Sequence, residues 1–134
     1  TRVIRHLLTS LATADVAIVV LAGRPPASGD WPGDYRVLPG LLYQHERPPV
    51  PAAELAAQIE QSATEALGGR PDLYHAHNHS LGKNLALPKA LHLLAAKGCP
   101  MLLHIHDFAE DGRPGNYRVM LEKLGDGSVD TLSR

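Results

Sequence analysis

The chain has 134 residues, enough for one domain with one hydrophobic core. Its formal net charge is −1 and its 13 Lys and Arg residues are scattered, which argues against a nucleic-acid or anionic-membrane surface. The lone Cys99 excludes an intrachain disulfide framework, and no apolar run approaches the ~18 residues of a membrane span. Because no signal-peptide pattern is visible, we expect a cytoplasmic protein.

The first third of the chain predicts a helix followed by two strands. Apolar residues within 1–14 recur at the i, i+3, i+4, i+7 spacing of an amphipathic helix. The continuous apolar run 16–22 is typical of a strand buried on both faces of a parallel sheet. Residues 23–33 are rich in proline and glycine and are predicted to form a loop. A short strand over 35–38 and an irregular segment over 41–49 follow.

The rest of the chain alternates helices with strands. A proline suits the first position of a helix, and a glycine pair ends one, so Pro51 and Gly68-Gly69 bracket the next helix. Its buried stripe is predicted to be Leu55, Ile59, Ala63 and Leu67. We predict, in order, a helix over 51–67, a strand over 73–77, a helix over 85–97, a strand over 101–106, a loop over 108–115 and a helix over 117–124. This alternation indicates an α/β fold, a Rossmann-like parallel sheet with helices on both faces.

The two ends of the sequence suggest that it continues. A helix over 1–14 in such a fold needs a partner strand before Thr1, and the polar residues 126–134 contain no closing element. We therefore expect residues 1–134 to be a single Rossmann-like domain cut from a longer polypeptide, without its first strand.

Five of the eight histidines lie in two short segments, each at the predicted carboxyl end of a strand. Ligands bind beyond the carboxyl ends of parallel strands. Alternation along each strand places His75 and His77 on one face of the first, and His104 and His106 on one face of the second. We interpret His75 and His104 as neutral, hydrogen-bonded inner histidines. His77 and His106 are predicted at the rim, where a side chain can bind a ligand or exchange a proton.

A metal-dependent hydrolase is one alternative, because His-x-His at a strand end can supply two nitrogen ligands. A binuclear hydrolase with His-x-His-x-Asp-His would have an aspartate where this chain has Asn78. Asp107 is the only nearby carboxylate, and a straight strand would hold His75 and His79 about 13 Å apart. We therefore predict that no metal ion binds these histidines and that no cofactor is required.

Gly82-Lys83-Asn84 directly precedes the helix predicted over 85–97. A helix amino terminus favours anions, although the Walker spacing is absent. Asn84 also suits the helix cap, so its role is open between capping and substrate binding.

The segment Pro-Asp-Leu-Tyr-His-Ala-His-Asn-His at 71–79, a helix, and then Leu-Leu-His-Ile-His-Asp-Phe at 102–108 resemble a known family. They look like the amino-terminal domain of the GT-B glycosyltransferases of family 4, in which one strand ends in a His-x-His-like segment and the next in a hydrophobic-Thr-x-His-Asp-like segment. The resemblance covers most of the chain, roughly residues 1–124. It implies one half of a two-half retaining enzyme, whose amino half binds the acceptor and whose carboxyl half binds a nucleotide-sugar.

The resemblance also implies site residues and partners. The family histidine that approaches the donor sugar matches His106, and Asp107 follows it as in many members, so these two are the predicted catalytic residues. The implied partners are a nucleotide-sugar donor and a sugar or glycolipid acceptor. The polar side chains between the first strand and its helix are the predicted substrate-binding residues: His77, Asn78, His79, Lys83 and Asn84.

Some family features are missing from this sequence. His104 stands where the family commonly has threonine, and neither the Gly-rich loop before the first helix nor the carboxyl-half Glu-x7-Glu motif is in residues 1–134. The chain alone is therefore expected to be inactive. A non-catalytic module that binds sugar or nucleotide is a further alternative.

Overall fold

A computed structural model describes residues 2–27, 31–48, 50–107 and 112–124. The predicted tail 126–134 and part of the predicted loop 108–115 lie outside these ranges. Within them no helix is both long and apolar enough to cross a membrane. The helices and strands are α1 (Arg2–Leu11), β1 (Val19–Ala22), β2 (Asp34–Val37), α2 (Ala52–Leu67), β3 (Tyr74–His77), α3 (Ala86–Ala96), β4 (Met101–His104) and α4 (Pro114–Leu124), with a 3-10 turn over Pro39–Leu41 before α2.

The strands pair in parallel, as an α/β fold requires. β1 pairs with β2, and β3 pairs with β4 across the intervening helix α3. The predicted parallel pairing on either side of that helix is therefore confirmed. The prediction of a single sheet with helices on both faces is not: in the described residues the strands form two separate two-stranded sheets. A Rossmann-like sheet stays a prediction, while the α/β class with parallel pairs is observed.

Several element boundaries differ from the predictions, and three of the differences have clear local reasons. β1 begins at Val19 rather than at Val16, which is 54% exposed and so is not part of a buried strand. β4 ends at His104 rather than at 106, because its partner strand ends at His77 and leaves no further ladder partner. α4 begins at Pro114, three residues early, since proline is tolerated in the first turn of a helix.

The core lies between α2, α3 and one face of the sheets. The predicted stripe on α2 is confirmed for Leu55, Ile59 and Ala63, which are all buried, whereas Leu67 is only half-buried. These side chains share one cluster with Leu94 of α3, and Tyr74 at the start of β3 completes it. Helix α2 packs against both α3 and β1, so it joins the two halves of the described structure.

Truncating Leu94 is expected to destabilise the fold strongly. Leu94 is fully buried in the core, whereas its neighbour Leu93 on the same helix is 38% exposed. A buried Leu→Ala change loses transfer free energy and leaves a cavity, so Leu94→Ala should lower the free energy of unfolding by about 2–5 kcal/mol. Leu93→Ala, the matched control, should change it much less. Urea denaturation of the two variants measures both values, and equal losses would contradict this assignment of the core.

Candidate functional site

The two faces of the β3–β4 sheet differ in chemistry. Tyr74 pairs with Met101, and both side chains pack into the core. In the same register His75 lies beside Leu102 and His77 beside His104. Because side chains alternate along a strand, these residues occupy the opposite face. Leu102 there is 48% exposed, so the described residues leave this face open.

The open face carries a connected group of imidazole rings, His75, His77, His104 and His106, named here the four-histidine cluster. Ring centroids along each segment lie 4.2 Å apart for His75 and His77, and 4.1 Å apart for His104 and His106. Across the strands, the rings of His77 and His104 lie 5.0 Å apart. His77 Nδ1 and His106 Nε2 are 3.1 Å apart, so one ring donates an N–H and the other accepts it.

Burial and crowding keep two of these rings uncharged. Burial, and after it the neighbouring histidines, lower the pKa of His77 from the ordinary 6.5 to about 4. The pKa of His75 is also lowered, mainly by burial and then by His104 and His106. The predicted neutral state of His75 is therefore supported. The prediction that His104 is an inner histidine is wrong, because its position at the outer face leaves it exposed.

His75 departs from the predicted hydrogen-bonded inner histidine in another respect. Its Nε2 atom is buried and has no hydrogen-bond partner within residues 2–27, 31–48, 50–107 and 112–124. Buried polar atoms are nearly always paired, so this nitrogen needs an explanation.

Asn78 ties the end of β3 to the segment after β4. Its Oδ1 accepts the backbone N–H of His106 at 2.6 Å, and its Nδ2 donates to Asp107 Oδ2 at 3.4 Å. Its own N–H donates to the carbonyl of His104 at 3.0 Å. Asn78 has a φ of 51°, a left-handed conformation that asparagine adopts more readily than most residues. The predicted catalytic residues are thus held in place by a predicted substrate-binding residue.

Asn84 is the side-chain cap of α3. Its Oδ1 accepts the N–H groups of Ala86 at 3.0 Å and Leu87 at 3.1 Å, as a capping residue does. Its Nδ2 donates to the carbonyls of Gly40 at 2.8 Å and Leu42 at 2.9 Å. The side chain is 7% exposed, and every donor and acceptor site is in use. These contacts favour capping over substrate binding.

The loop before Asn84 is fixed from two sides. Gly82 has a φ of 65°, and a Cβ added there would lie 2.9 Å from the carbonyl oxygen of Asn116 on α4. On the other side, the carbonyl of Lys83 accepts the N–H of Gln44 at 2.8 Å. The Lys83 ammonium lies 4.7 Å from the ring centroid of Tyr43, a cation–π distance. Tyr43, Gln44 and Asn116 therefore support this loop. No sequence pattern identifies them as supporting residues, because their contacts join segments that are far apart in the sequence.

The structure groups some predicted site residues and separates others. His77, Asn78, His106 and Asp107 contact one another at the carboxyl edge of β3 and β4. His79 is buried in the loop beyond them, at 2% exposure. Lys83 and Asn84 lie at the start of α3 and bond to the segment 40–44 instead. Whether any of them contacts a substrate stays a prediction.

Comparison with known proteins returns no relative. No family model, no curated protein and no solved structure matches the chain. The function must therefore be inferred from the geometry of the site and from the motif resemblance.

Replacing Asn78 is expected to loosen the edge of the sheet in two separable ways. Asn78→Ala loses its side-chain hydrogen bonds and keeps an unfavourable φ, so it should cost about 2 kcal/mol of unfolding free energy. Asn78→Gly loses the same bonds but relieves the φ, so it should cost about 1 kcal/mol. Urea denaturation measures both. A glycine variant as destabilised as the alanine variant would contradict the role of the positive φ.

Acidification is expected to destabilise the fold through His77. Its folded pKa of about 4 lies below the ordinary 6.5, so the unfolded chain binds the proton first as pH falls. The stability from neutral His77 is complete above about pH 6.5 and is lost as pH falls toward 4. Tm should therefore fall less between pH 7 and 4.5 in His77→Gln, which cannot titrate. Identical pH profiles for the two proteins would contradict the lowered pKa.

Proposed function

We propose that this chain is the acceptor-side, amino-terminal half of a retaining glycosyltransferase, with a Rossmann-like sheet. The observation that carries the proposal is the position of His106 and Asp107. Both are exposed directly after β4, at the carboxyl edge of a parallel pair where ligands of α/β proteins bind. The family resemblance of residues 71–79 and 102–108 supports the same assignment.

The contacts of His106 suit a group that must meet a reacting sugar in one orientation. Its backbone N–H is held by Asn78 and its ring by His77, so two consecutive residues at the end of β3 fix it. In sugar transfer, positive charge develops at the anomeric carbon and negative charge on the leaving phosphate. Preorganised polar groups lower such a barrier because they need no rearrangement during the reaction. His106 is proposed to hydrogen-bond the transferred sugar, with His77 as its positioning residue.

The loop at the start of α3 is proposed to face the acceptor. Tyr43 is 41% exposed beside the ammonium of Lys83. An aromatic face next to a polar donor offers a sugar both an apolar surface and a hydrogen bond. Groups that grip the donor diphosphate are expected in the other half of the enzyme.

The two alternative functions, a metal-dependent hydrolase and a non-catalytic binding module, require different groups at the carboxyl edge of β3 and β4. A metal-dependent hydrolase of the binuclear type needs carboxylate ligands, and this chain has Asn78 at the position where the hydrolase motif has an aspartate. A non-catalytic module needs only binding. Sugar binding without any turnover by the full-length enzyme would favour that module.

His106→Ala in the full-length enzyme tests the proposal. Loss of a group that acts in the transition state lowers kcat more than it raises the acceptor KM, here by about 10²-fold. His104→Thr, which restores the commoner family residue, should be much milder. The surface variant His92→Ala on α3 serves as the control. Nucleotide release from a panel of UDP- and GDP-sugars, with and without sugar acceptors, gives the rates.

Two outcomes would contradict the proposal. An unchanged kcat in His106→Ala together with a lower Tm would make His106 a structural residue. Sugar transfer by residues 1–134 alone would contradict the division into two halves, because the donor-binding half would then not be required.

A further inference from the structure

We propose that His75, His77 and His104 bind one first-row transition-metal ion, preferentially Zn²⁺, with His106 hydrogen-bonded to His77 beside it. This inference goes beyond the proposed function and does not rest on it. It uses only the geometry of the four-histidine cluster.

The distances bring three ligand atoms within reach of one ion. One ring nitrogen from each of His75, His77 and His104 lies within 4.8 Å of the other two. Ligand nitrogens on a tetrahedral zinc with bonds of about 2.0–2.1 Å are separated by about 3.3 Å. The proposal therefore includes rotation of the rings about their side-chain bonds to close the remaining gap. Three histidines with an open fourth position are an established kind of zinc site.

The buried Nε2 of His75 points to the same conclusion. Among the described residues this atom has no hydrogen-bond partner. When the imidazole proton is on Nδ1, this buried nitrogen has a free lone pair, which a metal ion can accept.

His106 has a separate part in this site. A metal-bound histidine usually donates its other ring N–H to a neighbouring acceptor, which sets its tautomer and orientation. His77 Nδ1 lies 3.1 Å from His106 Nε2, so an Nδ1–H of His77 would donate to His106 and leave Nε2 for the metal. His106 is therefore assigned as the positioning residue for His77.

The donor set decides which ion fits. Imidazole nitrogens suit zinc, copper and nickel, whereas magnesium and calcium require oxygen ligands. The sequence argument against a metal used the missing carboxylate and distances along one segment. The observed site needs no carboxylate, because its three ligand atoms are all nitrogens. Distances along one segment do not limit it either, because the ligands come from two strands.

Titration of the tag-free chain with ZnCl₂ after chelator treatment tests the site. Isothermal titration calorimetry at pH 7.5 should show one Zn²⁺ per chain, and Tm should rise with Zn²⁺ but not with Mg²⁺. His104→Ala should weaken binding by more than about 100-fold, since loss of even an orienting partner costs about 10- to 100-fold. His106→Ala should fall within that 10- to 100-fold range, and the double surface variant His6→Ala/His92→Ala should bind as tightly as the parent.

A second measurement covers the case in which a variant folds poorly. His104 is exposed, so His104→Ala should keep the parent's circular dichroism spectrum. In the unmodified chain, NMR should show the ring C–H signals of His75, His77 and His104 shifting with one equivalent of Zn²⁺, while those of His6 and His92 stay in place. Absence of one-to-one binding, or equal affinity of parent and His104→Ala, would overturn the proposal.

Discussion

The register of the parallel pair β3–β4 is the constraint on which the site depends. Tyr74 and Met101 lie side by side and pack into the core, so the next positions along each strand must face the other way. A slip of one residue would turn the histidines inward and expose Tyr74. Hydrophobic packing of one face therefore decides where the imidazoles lie, although none of them takes part in that packing.

Two asparagines then hold the edges of this unit in place, and each uses its amide as both donor and acceptor. Asn84 caps α3 and anchors the carbonyls of Gly40 and Leu42. Asn78 joins the end of β3 to His106 and Asp107. An ionised aspartate at either position could only accept hydrogen bonds, so it could not replace the bonds that the asparagine Nδ2 atom donates. At position 78, a binuclear hydrolase would have aspartate. The hydrogen bond that Asn78 Nδ2 donates to Asp107 gives a structural explanation for asparagine at this position.

The grouping of the imidazoles on one face of the sheet is the feature that both proposals use. Burial, and after it the neighbouring rings, lower the pKa values of His75 and His77. One consequence is an oriented His106 that can hydrogen-bond a sugar at the exposed edge. The other is a set of three nitrogens that a metal ion can share. Both depend on His77, which contacts every other ring of the cluster.

Local patterns in the sequence determined the order of elements, the buried stripe of α2 and the parallel direction of β3 and β4. Helical periodicity and strand alternation are properties of neighbouring residues, and a crossover helix imposes the parallel direction. The position of both His-x-His segments at the carboxyl ends of strands followed from that order. The tertiary structure alone decided the register that places His77 beside His104, the exposure of His104, and the division into two sheets. It also decided the contact between His77 and His106, which are 29 positions apart. Such contacts depend on how separate elements pack, and no pattern within a short window of sequence encodes that packing.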